Sequence, residues 1–242
     1  MYPMAIEQVF PSLYRVDLGH VNSFVIDSGN EGLILIDAGT PDDAGHILQA
    51  INELGRKPTH VRHILVTHCH NDHAGGLAEL EEATGAPSYM HPTDARMVRA
   101  GRALRPFTRT PGILDDATYH ALFSDVPSAV PAAMVEYEVS DGEVLTLAGG
   151  VRVVHAPGHC AGQIAFLWPR HGEVLFVGDA AANVMDILIL SPTHEDLGEM
   201  ERSASKLAGM EFEVACFGHG QDITKGASDR FGQAFGANLA MR

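Results

Sequence analysis

The chain has 242 residues, 45% hydrophobic and 19% charged, a composition that excludes a disordered or fibrous protein. Asp and Glu number 31 against 16 Lys and Arg, giving a formal charge of −15, and so acidic a surface excludes nucleic acid as an expected partner. Three irregularly spaced cysteines argue against a disulfide framework; with no signal-like start in Met1 to Pro11 and no apolar run of bilayer length, a cytoplasmic, membrane-free protein is expected.

Leu13 to Leu18 alternates apolar and polar residues, and β-rich runs follow at Val21 to Asp27 and Gly32 to Asp37, joined by the hairpin turn Ser28-Gly29-Asn30-Glu31. Ile47, Leu48, Ile51 and Leu54 recur at helical spacing, with Asp42 or Thr40 as the expected cap and Gly55 as the stop. Val61 to Val66 reads as a short buried strand. A helix over Leu77 to Ala83, a strand over Ser88 to His91 and a helix from a Thr93 cap to Ala100 come next. Residues 101–134 differ: Pro106, Pro111, Pro127 and Pro131 surround one short helix, Asp116 to Phe123. A segment this long and irregular is expected to be functional, a cap or insertion at the active site.

Strands return at Met134 to Val139, Glu143 to Leu147, Val151 to His155, Gln163 to Trp168 and Glu173 to Val177. A helix over Glu195 to Leu207, a strand over Val214 to Phe217 and a helix from Gly226 to Leu239 complete the chain. Hairpin strands followed by a helix and a strand thus occur twice, in halves that meet near residue 135. The pattern predicts one α/β domain over residues 1–242, with two pseudo-symmetric halves whose sheets pack face to face under outer helices, a four-layer αββα sandwich.

The stretch Thr67-His68-Cys69-His70-Asn71-Asp72-His73 follows directly on the Val61 to Val66 strand. Neutral imidazole and carboxylate are the usual ligands of zinc and similar divalent metals, and strand ends are where α/β sheets carry ligand sites. Three more candidates stand at strand ends: His159 after Ala156-Pro157-Gly158, Asp179 after Gly178, and His219 between Gly218 and Gly220. Backbone without a side chain bends sharply enough to bring the next residue to a metal. A buried core histidine is the commoner reading of any one of these alone. Four strand-end motifs agreeing in type and position reverse that preference.

These motifs, in this order from about Leu13 onward, resemble the metal-binding motifs of the metallo-β-lactamase-fold hydrolase superfamily, in its glyoxalase-II-like and lactonase-like branch. The resemblance implies that His68, His70 and His159 hold one metal, that Asp72, His73 and His219 hold a second, and that Asp179 bridges them. Asp72 and Asp179 are the residues it assigns to catalysis as well. It implies two divalent ions, zinc first, with iron and manganese as alternatives. A hydroxide shared between them would attack a carbonyl carbon whose oxygen rests on one metal, which suits a small ester, thioester or lactone. Asp37, in an Asp-Ala-Gly turn that recurs in the family, either orients a ligand histidine or caps its own turn. Cys69 is read as packing, and Cys160 stands where many relatives carry Thr.

Departures from known members narrow the choice. The penicillin-degrading enzymes carry Cys or Ser at the position of Asp179, and flavodiiron proteins Glu at that of His70. Quorum-quenching lactonases place Tyr three residues after the bridging Asp, where this chain has Ala182. Glyoxalase II binds glutathione through a basic C-terminal domain, whereas only Lys225, Arg230 and Arg242 are basic after His219. Substrate choice is expected from Phe107, Ile113, Leu114, Tyr119, Leu122, Phe123, Met185, Ile187 and Leu188; the alternative is that these cover local core or a homodimer contact. The series Arg96, Arg99, Arg102, Arg105 and Arg109 reads as a solvated helix face or as a receiver for a substrate carboxylate. The expected function is hydrolysis of a small molecule. A single-iron persulfide dioxygenase and a non-catalytic metal-binding protein are the alternatives.

Overall fold

The computed structural model describes residues 5–236. They divide into two compact units: residues up to Leu104 with Ser128–Val139, and Arg105–Pro127 with the residues from Ser140 on. In chain order, β1 (Ala5–Phe10), β2 (Leu13–Asp17), β3 (Asn22–Asp27), β4 (Leu33–Ile36), α1 (Ala44–Glu53), β5 (Val61–Leu65), α2 (Asn71–Ala74), α3 (Leu77–Thr84), β6 (Ser88–Met90) and α4 (Pro92–Arg99) belong to the first unit. β7 (Thr108–Arg109) and α5 (Asp116–Phe123) belong to the second, and β8 (Tyr137–Glu138) returns to the first. The second unit continues with β9 (Val144–Leu145), β10 (Val151–His155), β11 (Ile164–Trp168), β12 (Val174–Phe176), β13 (Ala182–Val184), β14 (Ile187–Ile189), β15 (Thr193–His194), α6 (Leu197–Ala208), β16 (Val214–Cys216) and α7 (Ala227–Phe235).

The first unit holds a seven-stranded sheet in the order β1-β2-β3-β4-β5-β6-β8. Strands joined by short turns pair antiparallel up to β4, and pairing becomes parallel at β4·β5, where α1 makes the crossover. All four residues of β4 are buried, as expected of a strand covered on both faces. α1 buries Ala44, Ile47, Ala50 and Ile51, one stripe at helical spacing. The second unit repeats this plan in a sheet ordered β16-β12-β11-β10-β9. Its pairs are antiparallel until β12·β16, which is parallel and separated in the chain by α6. The passage from first plan to second falls at Val139–Ser140, close to the expected residue 135, apart from the 105–127 excursion.

Local expectations fail where side chains compete for backbone groups. The cap of α1 is neither Thr40 nor Asp42 but Asp43, whose carboxylate accepts the N–H and the hydroxyl of Thr40 at 2.8 and 2.6 Å. α4 is capped by His91, whose ring accepts the N–H of Thr93 at 3.3 Å. The strand expected from Met134 shrinks to Tyr137–Glu138, because the Met134 and Val135 amides donate to Glu81 and Val135 has a φ of 42°. β13 and β14 form a hairpin that no periodicity announced. The last helix ends at Phe235, and its expected end at Leu239 lies outside the described residues. Among the described residues, no helix is long and apolar enough to cross a membrane.

Phe231 is fully buried in the core of the second unit, with ring centroids 5.1, 6.1 and 5.6 Å from Phe212, Phe217 and Phe235. Truncating it leaves a cavity that these rings cannot refill. Phe231→Ala is expected to cost about 3–5 kcal/mol in urea unfolding. A loss below about 1 kcal/mol would mean that this cluster does not hold the unit together.

Candidate metal centre

The first group of expected ligands grows out of the parallel pair β4·β5, in which Ile36 lies opposite Leu65. The chain beyond both strands stays in register, since the Asp37 N–H donates to Leu65 O at 2.9 Å. Asp37 therefore sits beside the loop that carries the histidines. Its φ is 62°, a region that Asp and Asn tolerate better than most side chains, and it is 3% exposed. Its carboxylate accepts three hydrogen bonds: the Thr67 N–H at 2.7 Å, the Thr67 hydroxyl at 2.9 Å and His73 Nδ1–H at 2.9 Å.

These bonds fix ring tautomers. With Nδ1–H of His73 donating to a carboxylate, Nε2 carries the lone pair. Because the Thr67 hydroxyl donates to Asp37, its oxygen accepts from His68 Nδ1, 3.0 Å away, and His68 likewise turns a lone pair outward at Nε2. One buried carboxylate thus sets two imidazoles. His68 Nε2 lies 3.1 Å from His70 Nδ1, and the His68 and His73 ring centroids are 4.1 Å apart. Two ligands at ~2.1 Å on a tetrahedral cation stand roughly 3.4 Å apart, so the His68 and His70 nitrogens have the spacing of a shared ion. His70 caps the short helix α2, which carries Asp72 and His73 on its first turn; Asp72 Oδ2 is 3.8 Å from His73 Nε2.

From the other side of the loop, Asp94 on α4 accepts the Cys69 N–H at 3.0 Å. Cys69 itself is buried, with Sγ 3.5 Å from Ala103 O. Asp94 was not singled out in the sequence. It differs from a surface helix aspartate only in being fully buried, which no spacing reveals.

In the second unit, the parallel pair β12·β16 puts Phe176 opposite Cys216. Asp179 and His219 each come three residues later, so the register that pairs the strands also pairs the ligands. Asp179 Oδ2 is 3.3 Å from His219 Nε2 and 3.5 Å from His159 Nε2, ligand-to-ligand distances to both imidazoles. His159 Nδ1 donates to Thr193 O at 3.0 Å and lies 2.8 Å from Ser191 Oγ, which again leaves Nε2 with the lone pair. Ser191 and Thr193 were likewise not foreseen, being ordinary loop residues until the fold brings them behind the ring.

Two glycines make these loops possible. Gly158 has a φ of 128°, and a Cβ there would fall 2.1 Å from the Met200 N at the start of α6. Gly220 has a φ of 94°, and its Cβ would fall 2.0 Å from Asn183 O. No larger residue fits either place without moving backbone.

The 105–127 excursion is tied to the same unit's ligand loops. β7 pairs with β15, and His194 bonds Thr108 and Thr110 through its two ring nitrogens at 2.9 and 3.0 Å. Arg105 Nε reaches both oxygens of Glu195 at 2.8 and 3.0 Å, and the Glu195 N–H donates back to Gly158 O at 2.8 Å. The arginine series has therefore dispersed. Arg96 and Arg99 are exposed on α4, Arg99 pairs with Glu138, and Arg109 pairs with Asp116. Leu122, Met185 and Ile187 are 61%, 86% and 64% exposed, so they do not cover local core, whereas Leu188 packs against the core of the second unit. Met185 and Asp186 form the hairpin turn with φ of 51° and 64°, a conformation usually left to Asn-Gly.

Asp37→Asn keeps the size and backbone preference of the residue but weakens the acceptor, and is expected to lower divalent-metal affinity about 10–100-fold in a chelator competition. Unchanged affinity would mean that the carboxylate does not set the rings. Burial holds the pKa of His194 below the usual histidine value, with Asp196 opposing and His159 adding to the shift. The stability that the neutral ring contributes is then fully present above the unfolded pKa of about 6.5 and is lost as pH falls from there through the lower folded value. Amide exchange at Thr108 to Thr110, corrected for intrinsic rates, is expected to quicken on acidification while that of Val61 to Leu65 does not.

Comparison with known proteins gives the setting of these residues. The family model described as the metallo-beta-lactamase superfamily matches residues 16–219. The probable metallo-hydrolase YflN of Bacillus subtilis is 30% identical over 232 residues, 86% of this chain and 83% of that protein. A hydroxyacylglutathione hydrolase of Cereibacter sphaeroides is 30% identical over 201 residues, 79% of this chain but only 63% of its own length. Among solved structures, a B3 metallo-beta-lactamase with an active-site glutamic acid superposes with a TM-score of 0.74 at 24% identity, over 98% of this chain and 89% of that one. With the fold shared and the family model running from β2 to His219, the chain belongs to the metallo-beta-lactamase superfamily, a family of metal-dependent hydrolases.

Proposed function

We propose that this chain is a dinuclear metallohydrolase that cleaves a small ester, thioester or lactone. In this reading His68, His70 and His159 hold one cation, Asp72, His73 and His219 hold the other, and Asp179 is shared. Zinc is the first choice for so nitrogen-rich a donor set. The observation that carries the reading is the Asp179 oxygen lying 3.5 and 3.3 Å from the Nε2 atoms of His159 and His219. A carboxylate oxygen at ligand-to-ligand range of both imidazoles is placed as one shared between two ions requires.

When bound, two divalent cations supply a water nucleophile ionised near neutral pH and an electrophile for the carbonyl oxygen. The chain's own part is to present lone pairs without reorganisation. Asp37 and Thr67 hold His68 and His73, while Thr193 and Ser191 hold His159. Asp72, its side chain about one-third exposed, is the ligand nearest to solvent in its own unit and is assigned to water entry and proton release. No serine or cysteine nucleophile is needed.

The hydroxyacylglutathione hydrolase relative supports acyl hydrolysis.

Metal analysis of protein purified without added metal, combined with turnover of an ester, thioester and lactone panel, tests the reading. Two metals per chain and hydrolysis lost in both His70→Ala and Asp179→Ala are expected. One iron per chain with oxygen consumed in the presence of a persulfide would contradict it, as would turnover indifferent to both substitutions.

A further inference from the structure

Asp179 and His219 come from separate strand ends, and their 3.3 Å approach has to be held by something beyond the strands. The parallel pairing of β12 with β16 stops at Phe176 and Cys216. Past that point the Val177 N–H donates to Cys216 O at 2.8 Å, and the bond from the Gly218 N–H to Gly178 O is long at 3.3 Å. The next firm link is Asn183, at the start of the hairpin four residues after Asp179. Its carbonyl oxygen accepts the Gln221 N–H at 2.9 Å, and its side-chain Nδ2 donates to Gln221 O at 2.8 Å. Asn183 also pairs across a parallel bridge with Gly220, the residue after His219. The residue is 1% exposed, and the close approach of its backbone is what excludes any Cβ at position 220.

Asparagine suits this place. Its amide offers a donor to a backbone carbonyl and an acceptor on the other side, where Arg230 Nη2 lies 3.4 Å from Oδ1. Aspartate has the same shape but no donor for Gln221 O, and alanine offers neither group. Two bonds to one residue, both inside the protein, resist rotation as well as separation of the two arms.

We propose that Asn183 is a positioning residue, a clamp on the His219 loop that sets the distance from His219 to Asp179 and so the affinity of the second cation. The proposal rests on the two-cation reading given above. Loss of the side-chain bond leaves the backbone bond alone on the His219 arm and loosens it, while His159 stays in place, because that ring is held separately through Thr193 and Ser191. Only the ion that uses His219 should therefore weaken.

Zinc titrations against a chromogenic chelator, on metal-stripped wild type, Asn183→Asp, Asn183→Ala and Arg230→Ala, read the two affinities separately. Wild type is expected to bind two ions. Asn183→Asp and Asn183→Ala are expected to keep the tighter site within about threefold and to weaken the other about 10–100-fold, the usual range for a residue that orients a ligand. Arg230→Ala, which leaves both Gln221 bonds intact, is expected to match wild type. Thermal unfolding of the stripped proteins shows whether the variants fold alike. Two unchanged affinities in the Asn183 variants would overturn the clamp, and so would equal weakening of both sites with a lowered unfolding midpoint. A wild type that binds a single ion at every zinc concentration would overturn the two-cation reading itself.

Discussion

The buried carboxylate of Asp37 is the constraint on which the rest of the first half-site depends. A carboxylate at 3% exposure is costly unless its lone pairs are used, and all the bonds that satisfy it run to the histidine loop. The loop cannot shift without stranding the charge, and the charge cannot be removed without releasing the loop. The consequence is chemical as well as mechanical. The His73 Nδ1–H that it binds lies across the ring from Nε2, and the Thr67 hydroxyl that it binds turns its oxygen to His68 Nδ1, so satisfying the carboxylate leaves both Nε2 atoms with lone pairs.

The second unit solves the same problem with different groups. There a backbone carbonyl, Thr193 O, does for His159 what Asp37 does for His73, and the carboxylate of Asp179 stands 3.5 and 3.3 Å from the His159 and His219 rings. Both units share one device, a parallel strand pair entered by a helical crossover, whose register delivers chemistry at the matching strand ends. In the first unit the pair delivers Asp37 and the Thr67 to His73 loop; in the second it delivers Asp179 and His219. Glycine at 158 and 220 lets helix α6 and the β13 strand press against the loops that carry His159 and His219.

Much of this was legible in the residues because it depends on local order. Strands β4, β5, β10 and β12 are largely apolar runs that lead into Asp37, His68, His159 and Asp179, and hairpin connections announce antiparallel neighbours. The motifs His68 to His73, His159, Asp179 and His219 could be read as metal-ligating because four strand ends agreed. What was not legible depends on which side chain reaches which backbone group across the fold. Asp94, Asn183, Ser191 and Thr193 have no periodic signature, and each matters only because a distant loop comes within 3 Å of it. The caps of α1 and α4 went to Asp43 and His91 for the same reason, a local contest for N–H groups that propensity does not decide. The arginine series looked like one feature in sequence and is several ion pairs in space.

The central claim is that the protein sets the ring tautomers so that the Nε2 atoms of His68, His73 and His159 are ready as ligands. Long-range proton–nitrogen NMR on protein labelled with nitrogen-15 at histidine, with and without zinc, reads each ring directly. Nδ1–H tautomers at all three positions before zinc is added, and a zinc-induced shift that within each of those rings falls on Nε2 rather than Nδ1, are the predicted result. An Nε2–H tautomer at His73 or His159 in the folded, metal-free protein would contradict the account.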